Sequence, residues 1–326
     1  MLLGFDIGGT KCAVVLGEQD GAKMKVVAKK IVSTNKPPFE MIETLFSLAE
    51  TLLIDKKLSV ESIDGIGISC GGPLNSKDGI IVAPPNLIGW QNIAIVAMAE
   101  ERFRKKTMLQ NDQNACAMAE WKYGAGRGLM NVIFLTFGTG MGAGLILNGH
   151  LYSGTTDLAG EVGHLRLAEM GPVGFGKAGS FEGFCSGGGL AQLAQIKVIE
   201  KIQAGEKVSF CDTIEQSRLL TAKHVAEAAL AGDKLAQEIY AICGFYLGRG
   251  ISFLIDILNP QMVILGSIYS RSEALLRTAM MGVIEKEALA ASRNACRIVP
   301  AALGESIGDV GALVLAAAAA EQLQEV

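Results

Sequence analysis

No Cys-x-x-Cys pair occurs in this chain. Its seven cysteines, an odd number, lie scattered at 12, 70, 116, 185, 211, 243 and 296. That spacing excludes a disulfide framework and predicts a reduced, cytoplasmic protein. Basic excess is also missing: 29 Lys and Arg stand against 33 Asp and Glu, a net charge of −4. The chain therefore has no electrostatic footprint for nucleic acid, and none is expected as a partner. The small basic cluster Arg102-Phe103-Arg104-Lys105-Lys106 reads as a solvated helix end. Long apolar runs are lacking. The longest, Val310 to Ala320, is too short to span a bilayer and reads as a buried helix, so no membrane partner is expected. The first strand begins at Leu2, and no signal peptide is expected. Aromatics make up only 6% of the residues, whereas glycine occurs 40 times in a chain that is half hydrophobic. Such a composition suits an α/β protein rich in tight turns, and 326 residues suit two domains.

Two stretches repeat one plan. Leu2-Leu3-Gly4-Phe5-Asp6-Ile7-Gly8-Gly9-Thr10-Lys11 is an apolar run and a Gly/Thr turn, followed by a second run from Cys12 to Leu16. Val132-Ile133-Phe134-Leu135-Thr136-Phe137-Gly138-Thr139-Gly140-Met141-Gly142 does the same and returns through Ala143 to Leu147. Strand-length apolar runs around glycine predict β-hairpins. Glycine at a hairpin tip lets backbone N–H groups approach an anion closely. Thr10 and Thr139 add hydroxyl donors. One such turn is an ordinary hairpin. Two matched turns, the first with a carboxylate at its strand end, point to two related half-domains gripping a polyphosphate.

Periodicity and turn residues predict strands near 2–7, 11–17 and 24–32, a helix over 39–56 and a strand at 63–69. A proline-rich loop over 71–92 follows, then a helix over 93–105, a strand at 107–110 and a helix over 113–123. The second hairpin starts a similar series at 131. Residues 150–186 read mostly as glycine-rich loop. Helices over 187–203, 221–231 and 233–258, a strand at 261–266 and a helix over 272–291 come next. A strand near 297–300 and a helix over 308–324 close the series. Strands followed by alternating helix and strand, twice over, predict two layered α/β domains of common plan. The polar stretch at 120–130 is the expected boundary.

These motifs resemble the ROK family (repressors, open reading frames, kinases) of the actin-like ATPase superfamily, over nearly the whole chain. Asp6-Ile7-Gly8-Gly9-Thr10-Lys11 is similar to the family's first phosphate loop, and Gly138-Thr139-Gly140-Met141-Gly142 to its second. Asn111-Asp112 with Asn114-Ala115, and Gly160-Glu161-Val162-Gly163-His164, resemble its sugar-binding motifs. Each motif is modestly specific alone; all of them in the family's order are highly specific. The resemblance implies two actin-like (ribonuclease H-like) domains with the active site in the cleft between them. Residues 1–123, joined by a returning helix at 308–326, would form the smaller domain and 124–307 the larger. It implies ATP- and Mg²⁺-dependent phosphorylation of a hexose, with glucose the first expected sugar and an N-acetylhexosamine such as N-acetylmannosamine next. Sugar and ATP are the expected partners, and a homodimer the expected assembly. The family's sugar-responsive repressors carry a helix-turn-helix ahead of the kinase-like part, whereas this chain starts at the phosphate-loop strand. A sugar sensor without catalysis is a third reading, which Asp6 and Asp112 argue against.

Site residues follow from the same resemblance. Asp112 stands between a short strand and a helix, where a carboxylate can accept backbone N–H bonds and feel the positive helix end, which keeps it ionised. Position alone fits a plain N-cap; the resemblance makes Asp112 the catalytic base for the attacking hydroxyl. Asn111 offers a donor and an acceptor for sugar hydroxyls. Asp6 would hold Mg²⁺ through water, beside phosphate contacts at Gly8, Gly9, Thr10, Gly138, Thr139, Gly140 and Gly142. Lys11 either offsets phosphate charge or is a solvated strand residue. Glu161, His164, Glu182 and Asn86 are the further implied sugar contacts, with Gly71-Gly72-Pro73 a neighbouring wall. Gly266-Ser267 and Gly311-Ala312 are candidates for the adenosine side, where a simple helix–strand turn is an equal contender.

The chain departs from the family at one loop. Many members carry C-x-C-G-x-x-G-C-x-E, whose cysteines join a histidine in a structural zinc site. Here Val173, Phe175 and Ser180 replace the three thiolates. No structural zinc is expected, His164 is left for substrate, and apolar packing by Val173 and Phe175 is expected to do the metal's structural work. Two decoys fail. Gly171 to Lys177 spells G-x-x-x-x-G-K, but Ala178 stands where a P-loop needs Ser or Thr. Gly138-x-Gly140 lacks the third glycine of a dinucleotide fingerprint.

Overall fold

The structure, a computed structural model, describes residues 1–21 and 23–321. It divides into two compact units. One comprises Met1–Gly128, Gly144–Ala159 and Glu305–Val326; the other comprises Leu129–Ala143 and Gly160–Gly304. Residues 322–326, the end of the expected returning helix, lie outside the described residues.

In chain order the first stretch forms β1 (Leu2–Ile7), β2 (Lys11–Asp20), β3 (Lys23–Ser33), α1 (Pro38–Asp55), β4 (Gly65–Cys70), the short pair β5 (Leu74–Asn75) and β6 (Ile80–Ile81), α2 (Ile95–Phe103), β7 (Thr107–Asn111) and α3 (Asp112–Tyr123). The rest forms β8 (Val132–Phe137), β9 (Met141–Leu147), β10 (His150–Leu151), β11 (Val173–Gly174), β12 (Lys177–Ala178), α4 (Phe181–Phe184), α5 (Gly187–Gln203), α6 (Ile214–Ser217), α7 (Ala222–Leu230), α8 (Lys234–Leu258), β13 (Met262–Leu265), α9 (Ile268–Glu287), α10 (Ala290–Ala295), β14 (Arg297–Pro300) and α11 (Ile307–Glu321). The region expected as loop over 71–92 holds the β5–β6 pair, and that over 150–186 holds β11, β12 and α4. The helix expected from 272 starts four residues earlier, and its backbone kinks at Ser272.

Two five-stranded sheets share one strand order, β3-β2-β1-β4-β7 and β10-β9-β8-β13-β14. β1 runs antiparallel to β2 and parallel to β4, and β13 runs parallel to both β8 and β14. The repeat extends to burial: β1 and β8 are covered along their length except at Asp6 and Thr136, the matching positions before each turn.

In the first unit, α1 places Met41, Ile42, Leu45, Phe46, Ala49, Leu52 and Leu53 on one buried stripe, the spacing of an amphipathic helix. These side chains meet Phe5, Ile7, Val14 and Ile68 in one core, with Phe5, Phe46 and Phe103 in mutual ring contact. On the other face lies α11, rich in alanine. A Cβ on Gly67 would stand 2.0 Å from Ala312 O, and one on Gly65 would stand 2.3 Å from Ala316 O. Small residues on both partners let this helix press onto the sheet backbone. Gly144 likewise lies against Gln113 and Ala117 of α3, and Ser76 bonds Asp157 through both its amide and its hydroxyl.

The second unit is built around α8. Asp233 caps its start by accepting from Ala236 N at 2.8 Å, and Asn259 ends it in the left-handed conformation. By length and composition α8 could cross a membrane, but half of its apolar window is buried in the protein, as in the core helix of a globular unit.

Candidate functional site

In the first unit, Asp6 is the last polar residue of β1, and the turn Gly8–Thr10 follows it. The turn's carbonyls are engaged by the protein: Thr34 Oγ1 donates to Gly8 O at 2.7 Å and Thr34 N to Thr10 O at 3.0 Å. Oxygens that would repel a phosphate are thereby occupied. Gly9 is needed for packing, since a Cβ there would meet Asn86 O at 2.3 Å. That contact brings Asn86 against the glycine turn. Thr10 and Lys11 are exposed.

Asn111 ends β7 and caps α3, its Oδ1 accepting from Gln113 N at 2.9 Å; Asp112 Oδ1 accepts from the same amide at 2.8 Å. Gln110 Oε1 fixes this corner by accepting from Asn111 N at 2.8 Å and Asn114 Nδ2 at 3.1 Å. Asn111 Nδ2 lies against Gly72, which precedes Pro73 in a cis peptide. Asp112 reaches solvent yet is closely crowded by protein. Loss of hydration pushes its carboxyl above the ordinary carboxylate range, against the lowering effect of the bonds from Gln113 and its own amide. Burial outweighs the amide bonds at the helix start, and the raised carboxyl is a stronger proton acceptor than an ordinary one.

Asp6 is pushed up to about 6, by burial first and then by Asp112 and Asp309; Lys29 and Lys11 pull the other way. Asp309, near the start of α11, was not expected at the site. It receives Lys29 Nζ at 2.7 Å, and its neighbour Gly308 would bring a Cβ to 3.0 Å from Asp6 Oδ2. Two carboxylates, Asp112 and Asp309, and two ammonium groups, Lys29 and Lys11, thus act on the charge of Asp6. Among the described residues no group of three or more His, Cys, Asp or Glu is placed to hold a metal ion by itself. Mg²⁺ commonly keeps several waters and takes only one or two carboxylates.

The second unit holds the other turn, Gly138–Gly140. Gly187 N donates to Gly138 O at 2.8 Å, which sets the start of α5 beside the turn. Glu182 Oε2 accepts from Met141 N at 3.1 Å and would stand 2.7 Å from a Cβ on Gly140. Gly163 packs on Met141 O and the Glu182 side chain. The turn bearing Glu161 and His164, both exposed, is thereby brought next to Glu182 and the glycine tip.

Three candidate glycines take other roles. Gly142 is buried inside β9, Gly266 against the Phe134 ring and Gly311 against Ala115. Close packing of helix and strand is sufficient reason for a glycine at the last two positions. Ser267, exposed and at φ 54°, and Gly187-Gly188 are the open groups beside Gly138.

The zinc-replacing loop also differs from expectation. Val173 and Phe175 are 46% and 73% exposed, so apolar packing does not hold it. Hydrogen bonds do: β11 pairs with β12, and Gln192 exchanges two bonds with the Val173 backbone at 3.0 and 2.8 Å. The Gly171–Lys177 decoy lies in this hairpin and forms no phosphate loop.

Twin sheets of identical strand order, each with a glycine turn after its central strand, define an actin-like ATPase fold. A ROK family profile matches residues 2–319, and the chain belongs to the ROK family. It is 30% identical to a glucokinase from Halalkalibacterium halodurans, over 95% of this chain and 92% of that one. It is 27% identical to the xylose repressor of Bacillus subtilis, over 95% of this chain and 75% of the repressor. A ROK family glucokinase from Streptomyces griseus, solved with glucose and AMPPNP, aligns with a TM-score of 0.75 at 26% identity, covering 97% of this chain and 99% of that one.

Proposed function

We propose that this protein is an ATP-dependent sugar kinase acting on a hexose, with glucose the first candidate and an N-acetylhexosamine the next. The observation that carries the reading is the acidic pair of the first unit. Asp6 stands at the end of the strand that leads into a glycine turn, and Asp112 at the start of a helix, close enough for the charge of Asp112 to disfavour the ionisation of Asp6. A structural cap needs no such repulsion; phosphoryl transfer needs one carboxylate for the metal–phosphate side and one for the proton.

In this reading the sugar hydroxyl oxygen attacks the γ-phosphorus of ATP and its proton passes to Asp112. The bond from the γ-phosphorus to the bridging oxygen breaks, and ADP leaves. Asn111 and Asn86 are the proposed sugar contacts within the first unit, and Glu161, His164 and Glu182 those within the second. Gly8 N and Gly138 N close their own turns, so the proposed phosphate donors are the amides of Gly9 and Thr10 and those of Thr139 and Gly140, with Lys11 offsetting charge. Mg²⁺, when bound, supplies charge neutralisation on the phosphate oxygens, and Asp6 would hold it through water.

An ADP-release assay across hexoses and acetylated hexosamines, with ATP and inorganic polyphosphate as donors, tests the reading. Sugar-dependent ADP release with ATP is the expected result. The similarity to the xylose repressor supports a second reading, a sugar-responsive regulator; saturable sugar binding without turnover would favour it.

A further inference from the structure

The β11–β12 hairpin carries an unexpected residue at its tip. Gly174 pairs with Lys177, so the loop is Phe175 and Gly176 alone. Their φ values are 45° and 74°, the backbone of a type I′ turn, which prefers Asn, Asp or Gly at its first position. A bulky side chain there brings Cβ against its own carbonyl. Burial does not offset this strain, since Phe175 is 73% exposed. The ring contact recorded for Phe175 is with His164, at 6.2 Å between centroids and 66° between planes. The support beneath is firm. Lys177 Nζ donates to His164 O at 2.7 Å, Arg166 Nη1 donates to Ala178 O at 2.7 Å, and Gln192 grips Val173. A strained, exposed aromatic on a stapled base is a mark of function.

We propose that Phe175 and His164 form the sugar platform of the second unit, with Phe175 a specificity-determining residue for pyranoses. The inference rests on the sugar-kinase reading and deepens it. The face of a phenyl ring is negative, and the axial C–H groups of a pyranose are weakly positive. A hexose laid on Phe175 therefore covers its C–H face and leaves its rim hydroxyls toward the edge-on imidazole of His164. An axial hydroxyl on the covered face would lift the sugar off the ring, so the platform selects among epimers by shape.

Calorimetric titration of glucose and N-acetylhexosamines into the wild type, F175N and F175W, without ATP, tests the platform. Asn tolerates the left-handed backbone, so F175N is expected to melt at least as high as the wild type. Its sugar affinity should nevertheless fall roughly 3- to 10-fold, the share of one aromatic contact. F175W should keep sugar affinity, and nucleotide affinity should be unchanged in both. Wild-type sugar affinity in F175N overturns the proposal, and so does a wild-type protein that binds none of these sugars. Binding that depends on Phe175 but comes with no ADP release keeps the platform and removes the kinase reading.

Discussion

Asp6 is held in the folded chain at a cost. Its carboxyl rises from 3.8 to about 6 because burial and the charges of Asp112 and Asp309 outweigh Lys29 and Lys11. Between those two values the folded protein binds more protons than the unfolded chain, so stability falls as pH rises from about 4 to 6. Above pH 6 the cost is complete, at most about 3 kcal/mol for a shift of this size. Asp6→Asn should therefore raise the thermal midpoint at pH 7.5 in metal-free buffer and leave it nearly unchanged at pH 4. An equal gain at both values would show that ionisation is not the cause. Asp112→Asn makes a different test. The amide keeps shape and removes the proton acceptor, so kcat should drop about 10²- to 10⁴-fold while calorimetry still detects sugar binding. A variant that retains most of its turnover would remove Asp112 from the base role.

Among the elements, α11 depends most on what its partner lacks. Gly67→Ala would drive a Cβ to 2.0 Å from Ala312 O and 2.4 Å from Ala316 N, backbone atoms that yield only if the helix lifts. A loss of roughly 2 kcal/mol or more is expected in denaturant unfolding; an unchanged midpoint would mean that the helix shifts freely. The β11–β12 hairpin depends on Gln192, Lys177 and Arg166 rather than on thiolates. Chelators should leave its thermal midpoint where it was, whereas a structural zinc would contribute folding free energy directly. Elemental analysis finding about one zinc per chain would contradict this account.

For the molecule as a whole, ligands that bind only the folded state stabilise it by mass action. A sugar at a hundred times its Kd should add about 2.7 kcal/mol, read as a rise in thermal midpoint. No rise with any hexose or acetylated hexosamine at saturating concentration would oppose both the kinase and the sugar-regulator readings.

Local chemistry made much of this legible in the sequence. Glycine tips between apolar runs marked both hairpins, and periodicity marked α1, α5 and α8 to within a few residues, because turn residues and amphipathic spacing act over short stretches of chain. Non-local contacts were decided elsewhere. Glycine reads alike in sequence whatever it packs against, so only the fold showed that Gly9 lies on Asn86, Gly266 on Phe134 and Gly311 on Ala115. Val173 and Phe175 were expected to pack in place of a metal, yet the type I′ turn leaves Phe175 exposed. Asp6 is set by burial first and then by the charges of Asp112 and Asp309; Asp309 and its partner Lys29 are 280 positions apart in sequence and 2.7 Å apart in the fold. Spacing along the chain determines which elements form. Which polar groups share a site depends on how those elements close on one another, and only the tertiary structure decided that.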